Sequence, residues 1–243
     1  MEQARELNHL AAWAPERVER PELLELGYGS HQDVAANLAE IDRINRYLGG
    51  LRALTRHVYP RLLAQRGPIT LVDLGTGSAM IPVTIARWAR RQGLDLRILA
   101  VDCAARQVRV ARSTVKGYPE VQLLRADAFH APLRPGQVDY VISSLLLHHL
   151  APSQLVELLR ATGERARCGL VMSDLVRGWL PFYAFKLVQP LFARHPLTRY
   201  DGALSILRAY MPAELLKLAQ AAGLPNPQVF AHWPARMTLV VDK

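Results

Sequence analysis

Apolar residues recur along this chain with two different periods, and the places where one gives way to the other predict its architecture. From His31 to about Arg66, Val34, Leu38, Ile41, Ile44, Leu48, Leu51 and Leu54 return every three or four positions. That is the face of a helix, and Gly49-Gly50 splits it in two. After Gly67-Pro68 the pattern changes. A mostly apolar run from Ile69 to Leu74 breaks at Gly75 and Gly77, and Ile81, Ile85 and Trp88 follow at i, i+4 and i+7: strand, tight turn, helix. Similar runs predict strands at Ile98–Asp102, Val121–Ala128, Asp139–Leu146 and Gly169–Asp174. Pro152 opens a helix carrying Leu155, Leu158 and Leu159. Another helix starts near Pro212 and ends near Gly223, before two closing strands around Val229-Phe230 and Met237–Val241.

Polar residues fall where these strands end. Asp73 lies inside the first strand, Asp102 stands 25 residues after Gly77, Asp127 another 25 on, and Ser144 and Asp174 close the next two strands. In doubly wound sheets, ligands bind beyond the carboxyl ends of the strands. Gly75 and Gly77 let the backbone turn sharply and approach such a ligand without a Cβ in the way. A dinucleotide fingerprint would place a third glycine where Met80 stands, and an acid inside the strand suits a cationic ligand better than a pyrophosphate. The stretch V-D-L-G-T-G-S resembles the first motif of class I S-adenosylmethionine-dependent methyltransferases, whose ligand carries an ammonium and a sulfonium.

The resemblance covers about Pro68 to Asp174, and more loosely the ends. It implies a seven-stranded, mostly parallel, doubly wound α/β sheet of the Rossmann-like methyltransferase type, with S-adenosyl-L-methionine as cofactor. By the same resemblance Asp102 accepts the ribose hydroxyls and Asp127 caps the adenine amino group. Asp73, Gly75, Thr76, Gly77, Cys103, Ala128 and Ser144 complete the expected cofactor set. One departure is Ala79, where many relatives carry glycine; another is Met80, where some carry an acid. Both make the methionine-binding edge tighter or more apolar.

At 243 residues the chain can bury one full α/β core. The expected organisation is an N-terminal helical extension over residues 1–66 and a methyltransferase domain over 67–243, with a helical cap inserted at about 176–211. Thirty basic against 21 acidic side chains give a net charge of +9. The basic residues are dispersed, with no aromatic-interleaved stripe, so a solvated face is preferred to a nucleic-acid surface. Two cysteines make neither a disulfide framework nor a metal set, which fits a reducing cytoplasm and predicts no metal. Met1 to Leu10 lack the basic-then-apolar order of a secretory signal.

The segment D-Y-V-I-S-S-L-L-L-H-H-L resembles the quinone and small-molecule methyltransferases. It lacks the Asn/Asp-Pro-Pro-aromatic tetrad of nucleic-acid amino-methyltransferases. The expected reaction is therefore transfer to a hydroxyl or ring carbon of a small hydrophobic acceptor. The alternatives are a cofactor-binding module without chemistry, or an RNA- or lipid-directed enzyme. His149, and after it His148, are candidate bases for a phenol or enol proton. In the cap, the apolar run Trp179–Phe192 precedes His195, Arg199, Tyr200, Asp201 and Arg208, which are expected to line the acceptor pocket, Arg199 and Arg208 as anion anchors. Arg43 and Arg46 are further candidates to face the substrate. Docking on a membrane interface is the competing use of the apolar segment; the oligomeric state, monomer or homodimer, is left open.

Overall fold

A computed structural model describes residues 14–243; the reading of Met1–Leu10 lies outside them. The described elements run α1 (His31–Tyr47), α2 (Gly50–Leu63), β1 (Ile69–Leu74), α3 (Met80–Gln92), β2 (Leu96–Asp102), α4 (Ala105–Thr114), β3 (Val121–Arg125) and β4 (Val138–Ser144). After a single 3₁₀ turn at Leu147–His149 come α5 (Pro152–Arg165), β5 (Ala166–Leu175), α6 (Trp179–Phe192), α7 (Pro196–Arg208), α8 (Pro212–Ala221), β6 (Gln228–His232) and β7 (Arg236–Asp242). Each boundary has a local cause. Ser30 caps α1 by accepting the Asp33 N–H while the Asp33 carboxylate accepts that of Ser30, and proline stands at the start of α5, α7 and α8.

The seven strands form one sheet in the order β3-β2-β1-β4-β5-β7-β6. The first five are parallel and β7 pairs antiparallel with both β5 and β6. The expected fold class is therefore observed. Strand residues alternate between two cores, as the two-residue period of a strand requires. Ile69 and Leu71 point to the face covered by Leu54, Val58 and Leu62 of α2 and Ile85 of α3. Val72 and Leu74 point to the face covered by Leu155, Leu158 and Leu159 of α5 and Leu215 of α8. Strand order reverses direction between β1 and β4, and the crevice above that switch point is where an open α/β sheet takes its ligand.

The two N-terminal helices have different tasks. α2 closes one sheet face, whereas α1 lies beside the crevice with Asn37, Leu38, Ile41, Asp42 and Asn45 on its wall. Arg43 and Arg46 are exposed and are not part of the cavity wall. Trp179–Phe192 is a helix with one buried side chain, Phe185; Leu180, Leu187 and Leu191 are 82%, 81% and 69% exposed. Only one flank of α6 meets α7 and the crevice, and fourteen apolar-rich residues wound into an isolated helix present an apolar side all round.

Candidate active site

The crevice deepens into a cavity of about 820 Å³ whose wall includes Asp73, Gly75, Thr76, Gly77, Asp102, Cys103, Asp127, Ala128 and Ser144. These nine residues, far apart in sequence, are brought together by four parallel strands ending on one side. Gly75 and Gly77 have φ of 70° and 56°, and a Cβ on Gly75 would stand 3.1 Å from the Leu146 side chain. A side chain is excluded there both by backbone conformation and by space. Ala79 also adopts the left-handed region, at φ 60°, where it begins α3. The Cβ there costs on the order of 1–2 kcal/mol, and glycine would lose about 0.5–1 kcal/mol in chain entropy instead. Ala79→Gly is therefore expected to raise stability by about 0–1.5 kcal/mol in a urea titration, whereas most substitutions at a buried helix terminus destabilise.

Asp73 is 2% exposed, and burial pushes its carboxyl up to about 7, with the neighbouring Asp102 carboxylate adding to the shift. A buried acid whose charged neighbour is another acid is a place for a ligand cation. Asp102 is held differently. Its two oxygens accept the N–H groups of Ala104 and Gly77, both at 2.9 Å, which leaves one further lone pair on each oxygen facing the cavity. Burial still raises its pKa. A pair of vicinal hydroxyls matches that remaining capacity. Asp127 is exposed at the cavity rim, where its carboxylate accepts the Phe129 N–H and orients toward the end of β3. Three carboxylates, from the ends of β1, β2 and β3, thus line one side of the cavity.

Between β4 and the 3₁₀ turn, Leu145 has φ 59° and its N–H is donated to Ser173 O, which pulls the chain over the end of β5. That bend delivers His148 and His149. His148 is 2% exposed; its backbone N–H and its Nδ1 reach the two oxygens of Asp174, at 3.0 and 2.7 Å, and its Nε2 lies 3.6 Å from Glu22. Burial alone would lower its pKa, but the Asp174 charge and hydrogen bond, with Glu22 behind them, raise it to about 9. His148 is therefore protonated at neutral pH. His149, its ring tilted against that of His148 at 4.1 Å between centroids, is half-buried at the cavity wall with Nδ1 on the Glu25 carboxylate.

The cap candidates take positions the sequence did not indicate. Asp201 reaches the cavity wall, yet its oxygens accept the N–H groups of Leu23 and Leu24 and so hold down the strap at residues 14–28. Arg208 is a buried cation, 2.8 Å from Glu25 and 3.9 Å from Glu22, and donates to His149 O. Three others lie off the cavity. Arg199 is exposed and donates to Ala193 O, Tyr200 is 42% exposed, and His195 caps α7 and bonds Asp33.

Several wall residues escaped sequence reading. Glu22 and Glu25 sit in a segment without periodicity and carried no signal. Asp42 did carry one, as an acid on the apolar stripe of α1; Ser78 Oγ donates to its carboxylate at 2.7 Å and burial lifts its pKa to about 6. Asn37 and Asn45 interrupt the same stripe, each with a buried side-chain oxygen that has no partner among the described residues. Arg236, at the start of β7, is another.

A seven-stranded sheet of this order, with acids at the ends of β1, β2 and β3 around a two-glycine turn, has the architecture of the class I methyltransferase fold. Residues 71–168 match the family model described as a methyltransferase domain. The chain is 25% identical over 203 residues to the 2-phytyl-1,4-naphtoquinone methyltransferase of Thermosynechococcus vestitus, spanning 79% of this chain and 88% of that protein. Among solved structures, the fold is shared with a SAM-dependent methyltransferase from Aquifex aeolicus (TM-score 0.60, 16% identity, 85% of this chain and 97% of that one). Human N-acetylserotonin methyltransferase in complex with SAM also shares it (TM-score 0.64, 14% identity, 99% and 66%). The family-model match over residues 71–168, the methyltransferase relative and the shared fold together support a class I S-adenosylmethionine-dependent methyltransferase with S-adenosyl-L-methionine as cofactor. Among the described residues, no helix is long and apolar enough to cross a membrane.

Proposed function

We propose that the enzyme methylates a hydroxyl oxygen or ring carbon of a small hydrophobic acceptor of quinone or phenol type. The carrying observation is the cavity itself. At about 820 Å³ it lies near the top of the range of about 300–1,000 Å³ for ligand pockets. Beyond the acids its wall becomes apolar through Leu146, Leu150, Pro181, Phe185, Val188 and Ile206. The quinone acceptor named for the Thermosynechococcus relative supports the same class.

When bound, the cofactor supplies an electrophilic methyl group on a positively charged sulfur. The protein's share is to hold, orient and dry the reactants, which can account for much of the rate. In this reading Asp73 receives the ammonium and Asp102 the ribose, while Gly75, Thr76, Gly77, Cys103, Asp127, Ala128 and Ser144 complete the cradle. His149 takes the acceptor's proton. Its Nδ1 is fixed by Glu25, which leaves Nε2 as the free nitrogen and stabilises the imidazolium that forms. His148 already holds a proton and serves instead as a fixed cation beside it.

General-base assistance contributes about 10²–10⁴-fold, so His149→Ala is expected to lower turnover at least 100-fold. An unchanged rate would remove this histidine from the mechanism. Calorimetric binding of S-adenosylmethionine, followed by transfer of labelled methyl into a cell extract and mass spectrometry of metabolites in a deletion strain, tests the proposal as a whole. Binding without any transfer would leave a cofactor-binding module.

A lipid-like acceptor is supported by α6, whose exposed Leu180, Tyr183, Leu187 and Leu191 fall on one side while Pro181, Ala184 and Val188 touch the cavity. The helix carries Lys186 and no acid. Co-sedimentation with anionic vesicles that weakens as salt is raised is the outcome expected of interfacial docking; no sedimentation at low salt assigns α6 to covering the pocket alone.

A further inference from the structure

Arg236 is the charged group of the cavity that the reading above leaves without a task. It opens β7, opposite Leu175 at the end of β5, and is 3% exposed. An arginine offers five N–H donors. Of these only Nε–H has a protein acceptor among the described residues, Leu48 O, at a long 3.4 Å. The acid that influences it, Asp174, is already committed to His148 at 2.7 Å. The terminal guanidinium nitrogens are not sealed in the protein and the residue is part of the cavity wall.

Its surroundings are built to keep that end open. A Cβ on Gly50 would stand 2.2 Å from Asn45 Oδ1 and 3.2 Å from Arg236 Cζ, so only glycine leaves room for both groups. Asn45 Oδ1 is buried without a hydrogen bond and is neutral, so it cannot balance the charge. Burial holds the Arg236 pKa down at about 10, with the Asp174 charge acting the other way and only partly offsetting it. Arginine is almost never fully buried unless paired, because an uncompensated buried charge is costly.

The sheet places this cation away from the cofactor. Asp73, Asp102 and Asp127 belong to the ends of β1, β2 and β3, whereas β7 lies three strands from β1 on the opposite side, roughly 14 Å away at about 4.8 Å per strand. We propose that Arg236 anchors an anionic oxygen of the acceptor, which is therefore an apolar ring system bearing a carboxylate or an acidic enol or phenol. This rests on the methyl-transfer reading and narrows it: a neutral apolar molecule would leave the guanidinium unpaired. Arg236 replaces Arg199 and Arg208, which the structure places elsewhere.

The test uses the whole chain saturated with S-adenosylhomocysteine and a panel of one- to three-ring hydroxyarenecarboxylates, each paired with its methyl ester. At least one acid is expected to bind 10-fold or more tightly than its ester. Arg236→Gln is expected to erase that preference and Arg236→Lys to retain part of it, with S-adenosylhomocysteine affinity unchanged in both. Without ligand, Arg236→Gln is expected to melt no lower than the parent, because the long bond to Leu48 O that it removes is offset by relief of a buried charge. The proposal is overturned if no acid in the panel is preferred, if Arg236→Gln keeps the preference, or if it unfolds the protein. It is equally overturned if cofactor affinity falls 10-fold, which would assign the anion to the cofactor's own carboxylate. Labelled-methyl transfer by the unaltered enzyme reports separately on the reading beneath it.

Discussion

Asp102→Ala is expected to weaken S-adenosylmethionine binding by at least 100-fold. A hydrogen bond to a charged group contributes about 1.5–3 kcal/mol, and the geometry of Asp102 leaves room for two, because Gly77 and Ala104 N–H occupy only one lone pair on each oxygen. The same two N–H groups also lose their acceptor in the variant, so the glycine turn loosens as the ribose contact disappears. Asp102→Asn separates these effects. Its amide oxygen still satisfies one N–H and one hydroxyl, while its NH₂ faces the other N–H, and an intermediate affinity is expected. Calorimetry showing that Asp102→Ala binds as tightly as the parent would sink the ribose assignment.

Asp174→Ala is expected to destabilise the fold by about 3–5 kcal/mol, the usual cost of stranding one member of a buried ion pair. Both partners are 1–2% exposed, and the Asp174 carboxylate also accepts the backbone N–H of His148 and of Leu175. The pair has a pH signature. His148 is raised from 6.5 to about 9, so the folded state holds a proton that the unfolded state releases; the contribution is complete below about 6.5 and disappears as pH climbs to about 9. Burial would raise the carboxyls, but the imidazolium and its hydrogen bonds hold Asp174 low and Glu22 at about 2. That part of the stability is present above about 4–4.5 and fades only as pH falls below it. Urea midpoints should therefore decline from pH 6.5 to 9 in the parent and be flatter in Asp174→Ala. A parent midpoint independent of pH over this interval contradicts the charged pair.

The sheet and the cofactor edge were legible because each rests on local or evenly spaced signals. An apolar run ending in an acid, repeated after Gly77 at Asp102 and Asp127, is what successive strand-helix units impose, and no distant information is needed to see it. The acceptor side was not legible for the opposite reason. Glu25, His149 and Arg208 meet across 183 residues of chain, and nothing in the composition of residues 14–28 announces that they form a strap over the 3₁₀ turn. Hydropathy at 179–192 could not show which surface the run would meet: burial requires a second surface, and α6 has one on a single flank. Asp42 and Asn45 could have been noticed as polar intrusions on an apolar stripe. Arg236 stood in a run that otherwise read only as a closing strand.

The place of β7 in the sheet has a consequence for biosynthesis. It follows every other described strand in sequence, yet it is inserted between β5 and β6 with six of its seven residues buried. As the polypeptide emerges from the ribosome, β5 must wait with an unpaired edge while α6, α7, α8 and β6 are made, a stretch that includes the exposed leucines of α6. An unpaired strand edge is a template for association with other chains, so the interval before Arg236–Asp242 appears is when the nascent chain is most exposed to aggregation. Arg236 leads that last strand. The cationic end of the cavity is thus completed in the same event that closes the sheet, and no ligand needing it can be held by a chain that is only partly made.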